Sequence, residues 1–437
     1  MPNKRIYLCL AHMSENGMEQ KYIQEAFDTN WVVPLGPNVN GFEEDLSHFV
    51  SPGEGRPVVA LASGTAAIHL ALIACGVEAG DEVMVQSFTF CASANPVTYL
   101  GATPVFVDSE KDTWNMDPEL LDKAIADRME KTGKKPKAIM PVYLYGMPAK
   151  IDEIMEVAKK YDIPVIEDAA EGFGSKYKGQ VCGTFGRYGI LSFNGNKMIT
   201  TSGGGALICP DEEAKQEIMF YATQAREAFP YYQHEKIGYN YRLSNVCAGI
   251  GRGQMTVADE HIAHHKHVHQ RYMELLADVK GITVLDNPDE KTDANFWLST
   301  ILIDDDLHVE SEENAYAQAV KGAVGGAAGM VHTTGATHTD SEPNANVEAM
   351  RKALDAEGIE ARPLWKPMHK QPVYLRGEVR EERIDNYICV TSDSSVSYVN
   401  GVSESLFKKG LCLPSGPYVS DEDVQRIVSV ILNAIQR

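Results

Sequence analysis

Runs of four or five residues, apolar or nearly so, recur along the first half of the chain at Val58–Leu61, Glu82–Gln86, Pro104–Val107 and Ile163–Glu167. Each is too short for a helix. Ile163–Glu167 is apolar enough to be buried on both faces, and such strands belong to parallel sheets covered on both sides. Between the runs lie segments with helical spacing or composition, such as TAAIHLALIACGV after Val58–Leu61 and IDEIMEVAKKYD before Ile163–Glu167. Strand and helix in alternation predict an α/β fold around a mainly parallel sheet. A chain of 437 residues exceeds one core. We therefore expect a large domain over residues 14–255 and a smaller α+β domain over 256–437, joined by residues 1–13.

Ligands in parallel sheets gather at the carboxyl ends of strands. Asp168 stands at such an end, and Lys197 follows twenty-nine residues later in SFNGNKMITTSGGG. An Asp after a strand is often only a helix N-cap, and a Lys in a Gly-rich loop is usually solvated. Together, beside Gly203, Gly204 and Gly205, they point to pyridoxal phosphate. That cofactor is held as a Schiff base on a lysine, and its ring nitrogen needs a carboxylate partner to stay protonated. A second site suits its phosphate. Ser63-Gly64-Thr65 opens a helix, where free N–H groups and the helix dipole favour an anion, although simple capping would leave the same trace.

Composition narrows the partners. Lys and Arg number 40 against 61 Asp and Glu, a formal charge of −21. Such a surface repels nucleic acid and anionic membranes. The eight cysteines lack any C-x-x-C pair and mostly lie in apolar runs, as in a reduced cytoplasmic protein. The opening apolar run is too short for a signal peptide.

EDAAEGFGSKYKGQVCGTFG followed by SFNGNKMITTSGGG resembles the DegT family of sugar-nucleotide aminotransferases. Within it, TQAREAFPYYQHEKIGYNYRLSNV and RPLWKPMH are similar to the UDP-N-acetylbacillosamine transaminases. The resemblance runs from about Ser14 to the end. It implies the aspartate aminotransferase fold (fold type I), a homodimer and pyridoxal phosphate on Lys197, with pyridoxamine phosphate between two half-reactions. It also implies that Gly64 and Thr65 hold the phosphate with the Ser192 hydroxyl, that Phe90 stacks on the ring, and that Glu171 nears the ring hydroxyl. Asn240 would reach the phosphate of the neighbouring subunit. Glutamate would be the donor and the C4 ketone of UDP-2-acetamido-2,6-dideoxy-4-keto-hexose the acceptor. Amination at C3 of a 3-keto dTDP-sugar and a non-catalytic ligand-binding homologue are the alternatives. A diphosphate entering so acidic a protein needs fixed cations, and Arg226, Arg242, Arg362 and His369 lie in the matching motifs.

Two stretches carry no chemistry of this kind. HIAHHKHVH places His261 and His265 one turn apart, but without a third ligand it reads as a solvated helix face rather than a metal site. The Gly-, Ala- and Thr-rich stretch near 321–345 reads as a mobile insertion.

Overall fold

A computed structural model describes residues 5–53, 55–309 and 341–435. Most of the expected insertion lies outside them. Seven strands from the first half of the chain build one sheet. They are β1 (Val58–Leu61), β2 (Glu82–Gln86), β3 (Thr103–Val107), β4 (Ala138–Met140), β5 (Ile166–Asp168), β6 (Tyr188–Ser192) and β7 (Gly205–Ile208). β3, β2 and β4 run parallel, isolated parallel bridges Ile139–Val165 and Val142–Asp168 join β4 to β5, and β6 continues parallel. β7 and β1 close that flank antiparallel. Every residue of β1, β4, β5 and β7 is buried, which is why β1 reads as an unbroken apolar run, while β5 buries Glu167 and Asp168 as well.

The other flank departs from the expected domain division. Strands Arg380–Ile384, Tyr387–Thr391 and Val396–Val399 form an antiparallel meander, and its last strand pairs parallel with β3 through Val396–Val105 and Tyr398–Val107. A piece of the last fifth of the chain thus extends the large sheet. Asp108 fastens it, accepting from the backbone N–H of Asn400 at 3.1 Å, Gly401 at 2.9 Å and Ser403 at 3.1 Å. A second sheet, antiparallel throughout, is built by Ile282–Val284, Ser299–Ile303, Gly410–Leu413 and Arg362–Pro363. Helices Ala345–Ala356 and Asp421–Ile435 bury Met350, Leu354, Ile427 and Ile431 in its core with Ile6, whose backbone bridges Ile359.

The long helix Ala258–Leu276 packs on the strands Ile282–Val284 and Ser299–Ile303 and on the helix Asp421–Ile435. Its histidines correct the reading of a solvated face. His261, His265 and His269 are buried, with Nδ1 of His261 on the Met198 carbonyl at 3.2 Å and Nδ1 of His265 on that of Phe296 at 3.3 Å. The ring of His269 stacks on Phe296 with centroids 3.5 Å apart. Burial lowers the pKa of His265 to about 3, so it is neutral, a core histidine oriented by a carbonyl. No cluster of three metal-ligating side chains occurs among the described residues, nor a helix long and apolar enough to cross a membrane.

Candidate active site

Asp168 ends β5 with its backbone tied on both sides, its N–H to the Pro141 carbonyl at 2.9 Å and its carbonyl to the Tyr143 N–H at 3.1 Å. The carboxylate is buried and accepts from the Ser93 hydroxyl at 2.6 Å and the Ala170 N–H at 3.1 Å. The Thr89 hydroxyl shares a further hydrogen bond with Ser93 at 2.7 Å. Burial pushes the Asp168 carboxyl above its ordinary value, while the two donors and the Lys197 charge pull the other way. A carboxylate so held is a fixed acceptor for a cationic N–H.

Lys197 lies in the turn after β6, its N–H bonded to the Asn194 carbonyl at 2.9 Å. Its amine is 3.2 Å from Oε1 of Glu171 and 4.1 Å from the centre of the Trp297 ring. Glu171 is buried, and its Oε2 accepts the Tyr145 N–H at 2.7 Å. Behind the lysine sits Cys9, a thiol that burial pushes up to about 12 and leaves unreactive. All eight cysteines are free, in keeping with the reduced state read from their spacing.

The phosphate end of the expected site is also assembled. Ser63 caps helix Gly64–Ala74 by accepting the Ala66 N–H at 3.0 Å, leaving the Gly64 and Thr65 N–H groups at the helix start. Ser192, last in β6, is pressed against that start: a Cβ on Gly64 would lie 3.6 Å from the Ser192 hydroxyl. Gly203 faces open space, but Gly205 in the same run has a packing reason. A Cβ on Gly205 would lie 2.3 Å from the Gly64 nitrogen, so only glycine lets β7 pass beneath the turn. A buried carboxylate, a lysine amine and a helix start with a hydroxyl beside it match the ring nitrogen, aldehyde carbon and phosphate of pyridoxal phosphate. The residues fit that group.

A sequence profile of the DegT/DnrJ/EryC1/StrS aminotransferase family matches residues 14–325. The chain belongs to this family. EpsN of Bacillus subtilis (strain 168), provisionally named a pyridoxal phosphate-dependent aminotransferase, is 43% identical over 432 residues, 99% of this chain and 96% of its own. A GDP-perosamine synthase of Escherichia coli O157:H7 is 32% identical over 418 residues, 96% of each chain. Among solved structures, a DegT DnrJ EryC1 StrS aminotransferase from Brucella abortus superposes with a TM-score of 0.78 at 27% identity, covering 97% of this chain and 96% of its own.

In this family member the other sequence-derived candidates scatter. Phe90 is 54% exposed with its ring 5.3 Å from Trp365, so a ring face stays open beside the site. Asn240 is exposed, its backbone bridged to Thr223. Arg226 lies at the surface over the Tyr232 ring, and Arg362 is exposed, paired with Glu360 at 2.8 Å.

Two candidates are turned inward. Arg242 donates to Glu43 at 2.6 Å and to the Ala60 carbonyl at 3.1 Å, so its guanidinium braces β1 rather than facing a ligand. His369 is buried, its Nδ1 on the Ser87 hydroxyl at 2.7 Å, and desolvation lowers its pKa. A neutral ring packed behind β2 is no cation for a diphosphate. Conversely, Ser93, Tyr145, Asn295 and Trp297 were not singled out from sequence. Ser93 alone left a trace, a hydroxyl in TFCAS next to Phe90.

Proposed function

We propose that the enzyme is a pyridoxal phosphate-dependent aminotransferase that moves the amino group of glutamate to a keto-sugar nucleotide, UDP-2-acetamido-2,6-dideoxy-4-keto-hexose, at C4. The observation that carries the cofactor chemistry is the meeting of Asp168, Lys197 and the Gly64–Ser192 cradle, from three separate segments, at the carboxyl end of one sheet. When bound, pyridoxal phosphate draws electrons from a carbon joined to it through nitrogen and so makes that carbon's C–H acidic. The chain supplies the rest. Asp168 keeps a proton on the ring nitrogen, and the Gly64 and Thr65 N–H groups with the Ser192 hydroxyl hold the phosphate. Phe90 covers a ring face and excludes water. Lys197 Nζ takes the proton from the donor carbon and returns it nearby; hydrolysis by one water then releases 2-oxoglutarate, and the nitrogen would stay with the cofactor for the keto-sugar.

The C4 ketone and the UDP moiety rest on the resemblance of TQAREAFPYYQHEKIGYNYRLSNV and RPLWKPMH to the bacillosamine-type transaminases. A GDP-sugar is the second reading, favoured by the end-to-end match to the GDP-perosamine synthase. Arg226 and Arg362, at the surface, remain the cations for the diphosphate. Offered glutamate with UDP- and GDP-linked 4-keto-6-deoxy sugars and a 3-keto dTDP-sugar, the enzyme should form a C4-aminated UDP product, identified by NMR. Turnover confined to the dTDP- or GDP-sugar would overturn the assignment and leave the cofactor chemistry standing.

The reading includes a homodimer. Trp31, Val32, Val33 and Leu35 form a consecutive exposed apolar stretch, and Asn245 binds it through the carbonyls of Trp31 and Val33, each at 2.9 Å. That apolar edge therefore adjoins the segment carrying Asn240, as a surface completing a neighbour's site would require. Mixed dimers of Lys197→Ala and Asn240→Ala chains should regain activity, since one of their two sites has both residues intact. No recovery above the parent variants, or full activity in a sedimenting monomer, would refute it.

A further inference from the structure

Glu171 is reached by more structure than a residue brushing the ring hydroxyl requires. Its Oε2 accepts the N–H of Tyr145, a non-glycine residue at a φ of 55°, in the left-handed region that such residues rarely occupy. The next residue, Gly146, has a φ of 95°, and a Cβ there would lie 1.9 Å from the Asn295 amide oxygen. The same Asn295 donates to the Glu171 carbonyl at 2.7 Å and to the Phe173 carbonyl at 2.9 Å, and accepts the Trp297 N–H at 2.8 Å. One buried amide thus ties the backbone of Glu171 to that of Trp297. The Trp297 indole N–H is fixed in turn by the Asn196 carbonyl at 2.6 Å, one residue from the lysine.

Between these two braced groups lies the Lys197 amine, 3.2 Å from the carboxylate and 4.1 Å from the indole centre. Both neighbours favour an ammonium over a neutral amine, the carboxylate through its charge and the indole through its electron-rich face. Burial and the nearby Asp168 charge push the Glu171 carboxyl up, and the lysine charge opposes them, so carboxylate and ammonium support one another.

We propose that Glu171 is the counter-ion of the reacting amine. With Trp297 it forms a seat that holds Lys197 Nζ as an ammonium whenever the amine is not joined to the cofactor. The proposal rests on Lys197 being the reacting lysine. The lysine that has just taken a proton from the donor carbon parks there, between Oε1 and the indole face, until the proton is returned. Glu171 thereby governs how readily the amine gives the proton up.

The test needs neither sugar nor turnover. In full-length protein freed of cofactor, Lys197 is acylated with acetic anhydride at neutral pH in competition with surface lysines, and labelling is read by peptide mapping. Glu171→Gln keeps an acceptor for the Tyr145 N–H but removes the charge that holds the amine, so Lys197 labelling should rise about tenfold. Glu171→Asp, which keeps the charge, should fall back toward the wild type. Unchanged or reduced labelling in a folded Glu171→Gln protein overturns the proposal. If that variant does not fold, Trp297→Leu must raise labelling in the same direction, and no rise overturns it equally. Because labelling uses no cofactor and no substrate, its failure leaves borohydride mapping of Lys197 and product identity untouched, and the converse also holds.

Discussion

Lys197→Ala should lose at least about 10⁴-fold in turnover, some 5 kcal/mol of transition-state stabilisation, while the protein stays folded. The side chain lies in a turn after β6 and serves as no core element, so circular dichroism and the sedimentation profile should match the wild type. The loss is large because one amine does two tasks, tethering the cofactor and carrying a proton. The variant should still bind pyridoxal phosphate without a covalent bond, since Asp168, Ser192 and the Gly64–Thr65 helix start are unaltered. Borohydride reduction of the wild type followed by peptide mapping should place the cofactor on Lys197. Recovery on another lysine, or a loss under tenfold in Lys197→Ala, would refute the assignment.

Asp168→Asn should cost at least about 10³-fold, some 4 kcal/mol, with fold and cofactor content kept. The amide is nearly the size of the carboxylate and can still accept from the Ser93 hydroxyl or the Ala170 N–H, so packing changes little. What goes is the charge that holds a proton on the ring nitrogen, and a neutral ring is a poor sink for electrons. The loss should appear in the glutamate half-reaction alone, followed as bleaching of the visible cofactor band in a stopped-flow instrument. A variant bleaching within tenfold of the wild-type rate would show that Asp168 is not the ring-nitrogen partner. Ser93→Ala, which removes a 2.6 Å donor to a buried carboxylate, should lower the same rate less, because the charge itself remains.

The sequence by itself determined the elements that answer to local pattern. β1 and β2 fall on the residues expected, and β3 begins one residue earlier, because a strand buried on both faces leaves a short apolar run whatever its partners are. Asp168 and Lys197 were legible for the same reason, one at the end of such a run and the other in a Gly-rich turn beside it. The tertiary structure decided which polar groups meet. Nothing local distinguishes an arginine that faces a ligand from Arg242, whose partner Glu43 stands 199 residues away. Nor does helical spacing tell a wet histidine face from one packed on Phe296 and Met198, since both give the same period. The strand Val396–Val399 was assigned to the smaller domain by its place near the chain end, yet it pairs with β3 almost three hundred residues earlier. Trp297, and the place of Glu171 at the lysine rather than at the ring hydroxyl alone, show the limit most clearly. Trp297 is unremarkable in its own segment, and only the fold puts a carboxylate and an indole on either side of one lysine, where burial makes their charge and orientation count.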